Sequence, residues 1–96
     1  MFEATVQPVR DRLRSAGVLR LGVFGSVARG EAGPSSDVDV LVGFRPEART
    51  FDNLLAVAEA LEQVFHRPVD LVTEDSLSPY VGPRILPSVR YIELGD

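Results

Sequence analysis

FGSVARGEAGPSSDVDVLVGF, residues 24–44, is the stretch on which the reading of the fold turns. The apolar run Val18–Phe24 leads into it and reads as a buried strand that breaks at Gly25-Ser26. Val27 to Gly30 offers one helical turn, which Gly30, Gly33 and Pro34 cut short. Ser36 to Phe44, SDVDVLVGF, then reads as a second strand. Successive side chains on a strand point to opposite faces. Asp37 and Asp39 therefore share one face, while Val38 and Val40 turn to the other, into the core. The alternation gives way to Val40-Leu41-Val42, a run that expects burial on both sides. The two acids thus sit at the solvent-reachable entrance of a strand whose remainder is anchored.

Working outward, Phe2, Val6, Val9, Leu13 and Ala16 recur at helical spacing. Pro8 belongs in the first turn of that helix or marks a late start, and Gly17 is its C-terminal stop. Downstream, Arg45-Pro46-Glu47 is a turn and Thr50 an N-cap. Phe51, Leu54, Leu55, Ala58, Leu61 and Phe65 form the apolar stripe of the clearest helix, and Phe2, Phe51 and Phe65 are expected in the core. Pro68–Val72 reads as a third, short strand that could lie beside the second, and carries Asp70. A short helix over Tyr80–Leu86 and a last edge strand over Val89–Leu94 complete the reading. The order α-β-β-α-β predicts an α/β (α+β) fold, a small mixed β-sheet covered by helices.

The length, 96 residues, is that of one domain spanning 1–96, with a modest core. The formal net charge is −4, and every basic residue is an arginine. That balance argues against direct nucleic-acid binding. It favours metal ions, small molecules or a basic protein surface as partners. Arg10, Arg12, Arg14 and Arg20 read as a solvated helix face interrupted by Asp11. With no cysteine, neither a disulfide nor a thiolate metal site is possible. No apolar run has the length of a membrane span, and the N-terminus lacks the apolar segment of a signal peptide. A cytoplasmic protein is expected.

Two carboxylates within hydrogen-bonding range repel when both are ionised, and a divalent cation between them removes that cost. Magnesium takes oxygen ligands, typically one or two carboxylates together with substrate phosphates. A lone acid in an apolar strand is costly unless it is paired or ligated, so Asp70 is a candidate third member. If it lands beside Asp37 and Asp39, the three form a carboxylate cluster able to hold two metals for a phosphoryl-type displacement. Gly25 lets the backbone approach a ligand closely. The following N–H groups and the Ser26 hydroxyl can then hold a phosphate. Arg29 is near enough to contact a phosphate or to pair with an aspartate. Singly, each feature reads as a turn, a solvated strand end or a local ion pair (Asp70 with Arg67, for example); together and in this order they make a site.

Gly25-Ser26, Arg29-Gly30 and Ser36-Asp37-x-Asp39, with a third acid on a later strand, resemble the nucleotidyltransferase superfamily related to DNA polymerase beta. The likeness is closest to its shortest members, the minimal nucleotidyltransferases or MntA-type antitoxins, whose stand-alone length this chain suits. The resemblance implies the nucleotidyltransferase fold, with Mg²⁺, two ions, and ATP as substrate. It implies that Asp37 and Asp39 ligate metal, and that Asp70 is the third carboxylate and helps deprotonate the attacking hydroxyl. Gly25 and Ser26 would hold the terminal phosphates; Arg29 and Ser36 match nucleotide-binding positions. The implied reaction is adenylylation (AMPylation) of a partner, a HEPN-domain RNase toxin, typically on a tyrosine. The larger relatives carry a further acceptor-binding domain for which this chain has no room. A partner or a second copy is therefore expected to supply that surface, in a homo- or hetero-oligomer. Three other readings stay open: an antitoxin that neutralises by complex formation alone, a small-molecule nucleotidyltransferase, and a purely structural metal site. His66, the one histidine, suits a helix C-terminus. Tyr80 and Tyr91 read as packing or interface residues, and PYVGPRILP, 79–87, as a stretch that packs on the sheet or, as the alternative, forms a partner surface.

Overall fold

The computed structural model describes residues 2–94. Its first segment is helical throughout: α1 (Glu3–Val6), a 3-10 turn at Gln7–Val9 and α2 (Arg10–Ser15). Pro8 is thus neither in the first turn nor at a late start. It lies mid-segment, and the tighter turn absorbs its missing N–H. Val6, Val9, Leu13 and Ala16 are all buried, as their spacing predicts, and Gly17 closes the segment at φ 88°. The Phe2 ring packs at a tilt on Phe65, 6.0 Å between centroids.

β1 (Val18–Phe24) and β2 (Val38–Phe44) pair antiparallel, with the one-turn helix α3 (Gly25–Ala28) between them. α4 (Phe51–Phe65) carries the chain across to β3 (Val69–Thr73), which pairs parallel to β2. A parallel pair needs such a crossover, and α4 supplies it. α5 (Gly82–Ile85) and a 3-10 turn at Leu86–Ser88 precede β4 (Arg90–Ile92), antiparallel on the far side of β1. The sheet order is β3-β2-β1-β4. Leu21, Val23, Val38, Val40, Val42 and Ile92 of the strands share one buried cluster with Leu13, Val57 and Leu61 of the helices. The mixed sheet with helices is the architecture the sequence predicts. Leu41 and Val89 are buried outside that cluster, so β2 is covered on both sides at Val40-Leu41-Val42.

Several details differ from expectation. β2 starts at Val38 rather than Ser36, because Ser36 is taken up by a turn with Gly33. In β1 the register shifts between Val18 and Arg20, so Val18 and Leu21 both reach the core while Leu19 is half exposed. α4 is capped by Thr50, whose Oγ1 accepts the Asn53 N–H at 3.2 Å. Its buried face is Val57, Ala60 and Leu61; Phe51, at the first turn, is 75% exposed and Leu55 is exposed with it. His66 does terminate α4, in a left-handed conformation at φ 57°. Tyr80, Val81 and Leu86 are exposed rather than packed on the sheet. Arg20 and Glu74 form a bidentate pair, with contacts from 2.8 to 3.1 Å, that bridges β1 to the turn after β3. No helix among the described residues is long and apolar enough to cross a membrane.

Leu61 is fully buried at the centre of the α4 face. Leu61→Ala should cost about 2–5 kcal/mol in urea unfolding, as for other leucines truncated in a packed core.

Candidate active site

The parallel register sets Asp39 directly opposite Asp70, while on its other side Asp39 pairs with Phe24. Both acids project from the sheet face opposite the helices, since Val38 and Val40 on either side of Asp39 point into the helix-side cluster. Asp37 lies just ahead of β2 and is exposed. The sequence expectation that Asp70 lands beside the paired aspartates therefore holds for the strand positions.

Gly25 follows Phe24 and closes the arrangement from the β1 side. It has φ 72°, and a Cβ there would collide with Oδ2 of Asp39 and stand 3.1 Å from its Cγ. Two constraints thus act at one position: a left-handed backbone, and a neighbouring carboxylate that fills the space of a side chain. From Gly25 the chain winds into α3, where Arg29 N–H donates to Gly25 O (3.2 Å) and Glu31 N–H to Ser26 O (2.9 Å). The leading N–H groups of such a turn have no partner within it. The Ser26 hydroxyl makes no hydrogen bond among the described residues.

Arg29 pairs with Glu31, Nε to Oε1 at 3.0 Å, and its charge is also felt at Asp39. Ser36 is committed to the turn before β2. Its Oγ accepts the Gly33 N–H at 2.9 Å, and its own N–H donates to Gly33 O at 3.2 Å. Arg67, read from the sequence only as a local partner for Asp70, makes no ion pair with it among the described residues. It donates instead to the carbonyls of Gly33 and Ser36, across 34 and 31 residues. An arginine three positions ahead of a strand acid carries no sign of that reach.

The Asp39 carboxyl titrates above the usual carboxylate range. Burial is the main cause, followed by the like charges of Asp70 and Asp37; Arg29 acts in the opposite sense. The three acids accept no hydrogen bond from the described residues. They share one field but do not form a closed cage: no three His, Cys, Asp or Glu side chains among the described residues are grouped to hold a metal as they stand. Their chemistry, hard oxygen donors with mutual repulsion, does fit a divalent cation of the magnesium type. A groove lined by Arg14, Val18, Leu19 and Arg45 lies at the opposite end of β1 and touches none of these acids.

This geometry meets a known family at nearly its full length: the nucleotidyltransferase domain matches residues 6–92. The chain belongs to the nucleotidyltransferase family. Among this nucleotidyltransferase's relatives is the protein adenylyltransferase MntA of Thermococcus cleftensis. The two are 41% identical over 92 residues, which is 96% of this chain and 89% of that protein. The solved structure of a candidate minimal nucleotidyltransferase superposes with a TM-score of 0.73 at 36% identity, covering 94% of this chain and 95% of that one. The fold also recurs in a complex of a tri-AMPylated Shewanella oneidensis HEPN toxin with its MNT antitoxin. There the TM-score is 0.58 at 20% identity, over 95% of this chain and 71% of that chain. The protein is thus a nucleotidyltransferase with the minimal form of the fold, homologous to MntA.

Two outcomes follow at the bench. Because the folded state holds the Asp39 proton more tightly than the unfolded chain, ionised Asp39 costs stability above its raised pKa. Asp39→Asn should therefore melt higher than the parent at pH 7. The gap should narrow as pH falls through the raised value and close below the unfolded value near ~3.9. Gly25→Ala, forced into a left-handed backbone and onto Asp39, should lose at least about 1–2 kcal/mol in denaturant titration.

Proposed function

We propose that this nucleotidyltransferase moves AMP from ATP to a hydroxyl of a partner protein, and so acts as the antitoxin of a HEPN-type RNase toxin. The observation that carries the reading is the pairing of Asp39 with Asp70 across β2 and β3, with Gly25 packed against Asp39. The adenylyltransferase activity of the MntA relative supports AMP as the transferred group. The HEPN toxin bound to an antitoxin of this fold supports the partner class.

In this reading Asp37, Asp39 and Asp70 would hold magnesium, two ions, at the end of the sheet where Asp39 and Asp70 stand side by side. The metal when bound supplies electrostatic stabilisation of charge on the reacting phosphate oxygens. Gly25 and Ser26 offer backbone N–H groups and a hydroxyl to the terminal phosphates. Arg29, in exchange for Glu31, adds a charge-assisted contact to them. Ser36 contributes by shaping the turn that presents Asp37. Asp70 accepts the proton of the attacking hydroxyl, taken to be a tyrosine. The freed oxygen bonds to the α-phosphorus as the bond to the β-phosphate oxygen breaks, and pyrophosphate leaves. Aligning these groups is most of the catalysis in such a transfer. The net charge of −4 suits a basic RNase surface electrostatically, and a cytoplasmic setting follows from the same role.

The test is to incubate the protein with Mg²⁺, ATP and the product of its neighbouring gene, and to weigh that product by intact mass spectrometry. A gain of one or more AMP units, absent with Asp37→Ala/Asp39→Ala, is the expected result. A stable complex with no mass gain would replace this reading with neutralisation by binding. AMP transfer to a small molecule with no partner present would replace it with small-molecule chemistry.

A further inference from the structure

Arg67 lies in the link between α4 and β3, partly buried and three residues ahead of Asp70. One guanidinium nitrogen, Nη1, donates to Gly33 O at 2.6 Å and to Ser36 O at 3.1 Å. Those two residues are the ends of a turn that closes on itself: Ser36 N–H to Gly33 O, Gly33 N–H to Ser36 Oγ. Arg67 therefore binds both ends of the turn through their carbonyls. The residue after that turn is Asp37, and the next is Val38, whose N–H donates to Pro68 O at 2.9 Å. Two adjacent residues, Arg67 and Pro68, thus tie the segment that delivers Asp37 to the segment that delivers Asp70.

Little else holds this loop. Residues 29–37 are exposed or half-exposed, they include Gly30 and Gly33, and none belongs to the buried helix-side cluster. The covalent ends of the loop lie at α3 and β2, so its middle depends on whatever reaches it from elsewhere in the chain. A fixed pair of N–H donors on a charged group suits that task, because charge-assisted bonds to carbonyls are stronger than neutral ones.

We infer that Arg67 is a positioning residue of the transfer reaction: it latches the Gly33–Ser36 turn to the entrance of β3 and so sets Asp37 relative to Asp39 and Asp70. It need touch neither nucleotide nor acceptor. The inference rests on the proposed roles of the three acids, but the latch itself is testable without them. Removing it leaves the helix-side core intact, so global stability changes little while the placement of Asp37 is lost. Misplacing a reacting group by about an ångström lowers rate by as much as a hundredfold.

The experiment compares the parent with Arg67→Ala and Arg67→Lys, by amide hydrogen exchange on the protein alone and by AMP transfer to the partner. In Arg67→Ala, exchange should quicken at the Gly33 and Ser36 amides while α4 and β1 keep their protection. The melting temperature should stay within a few degrees of the parent's, and kcat should drop roughly tenfold to a hundredfold with a smaller change in the KM for ATP. Arg67→Lys, whose ammonium can donate to both carbonyls, should recover most of kcat and of the local protection. Parent-like exchange at the turn in Arg67→Ala would overturn the latch. So would loss of protection throughout the molecule, or equal loss in the lysine variant. If the parent itself transfers no AMP, the proposed function fails, and the exchange data still decide the latch.

Discussion

Two like charges stand side by side on neighbouring strands because the valines behind them leave no other register. Val38, Val40 and Val42 all point into the helix-side core, and Val38 N–H meets Pro68 O at the start of the parallel pairing with β3. A slip of one residue would drive Asp39 into that core and turn the valines out to solvent. Burying an unpaired carboxylate costs several kcal/mol, so apolar packing on one face dictates where charge sits on the other. Asp39 opposite Asp70, and Gly25 against Asp39, both descend from that single constraint.

The arrangement works against the fold's own stability. Asp39 is partly withdrawn from water and feels both other acids, and the nearest opposing charge, Arg29, is shared with Glu31. This unrelieved electrostatic conflict is confined to one end of the sheet. The other end is neutralised within the chain, where Arg20 and Glu74 lie over Gly43 and join β1 to the turn after β3 across β2. One end is therefore balanced by ion pairing and the other left with its like charges unrelieved.

The supporting parts around the acids are short. α3 is a single turn, and the loop before Asp37 is held by one side chain from a distant segment. That economy is consistent with a minimal member of the nucleotidyltransferase family: here the sheet carries the three acids and little else encloses them. The apolar residues left outside, Tyr80, Val81 and Leu86 on the α5 side and Phe51 and Leu55 on α4, lie on elements that do not form the site.

Much of this was legible in the sequence because it depends on local periodicity. Alternation in SDVDVLVGF placed Asp39 and Val40 on opposite faces, Thr50 announced the start of α4, and the glycine before Ser26 announced a close approach. Family resemblance then attached roles to the acids. What local pattern leaves open is which distant atoms meet. Gly25 could be read as making room, but only the β1–β2 pairing identifies Asp39 as the group that takes the room. Phe51 fits the apolar stripe of α4, yet at the first turn it lies outside the core and is left exposed. Nothing local to Ser36 announced that its Oγ accepts the Gly33 N–H in the turn before β2. Arg67 gave no sign, because its partners are carbonyl oxygens, which every residue has and no sequence distinguishes. Periodicity determines which side of an element is buried; only the tertiary structure decides which backbone comes within reach of a long side chain.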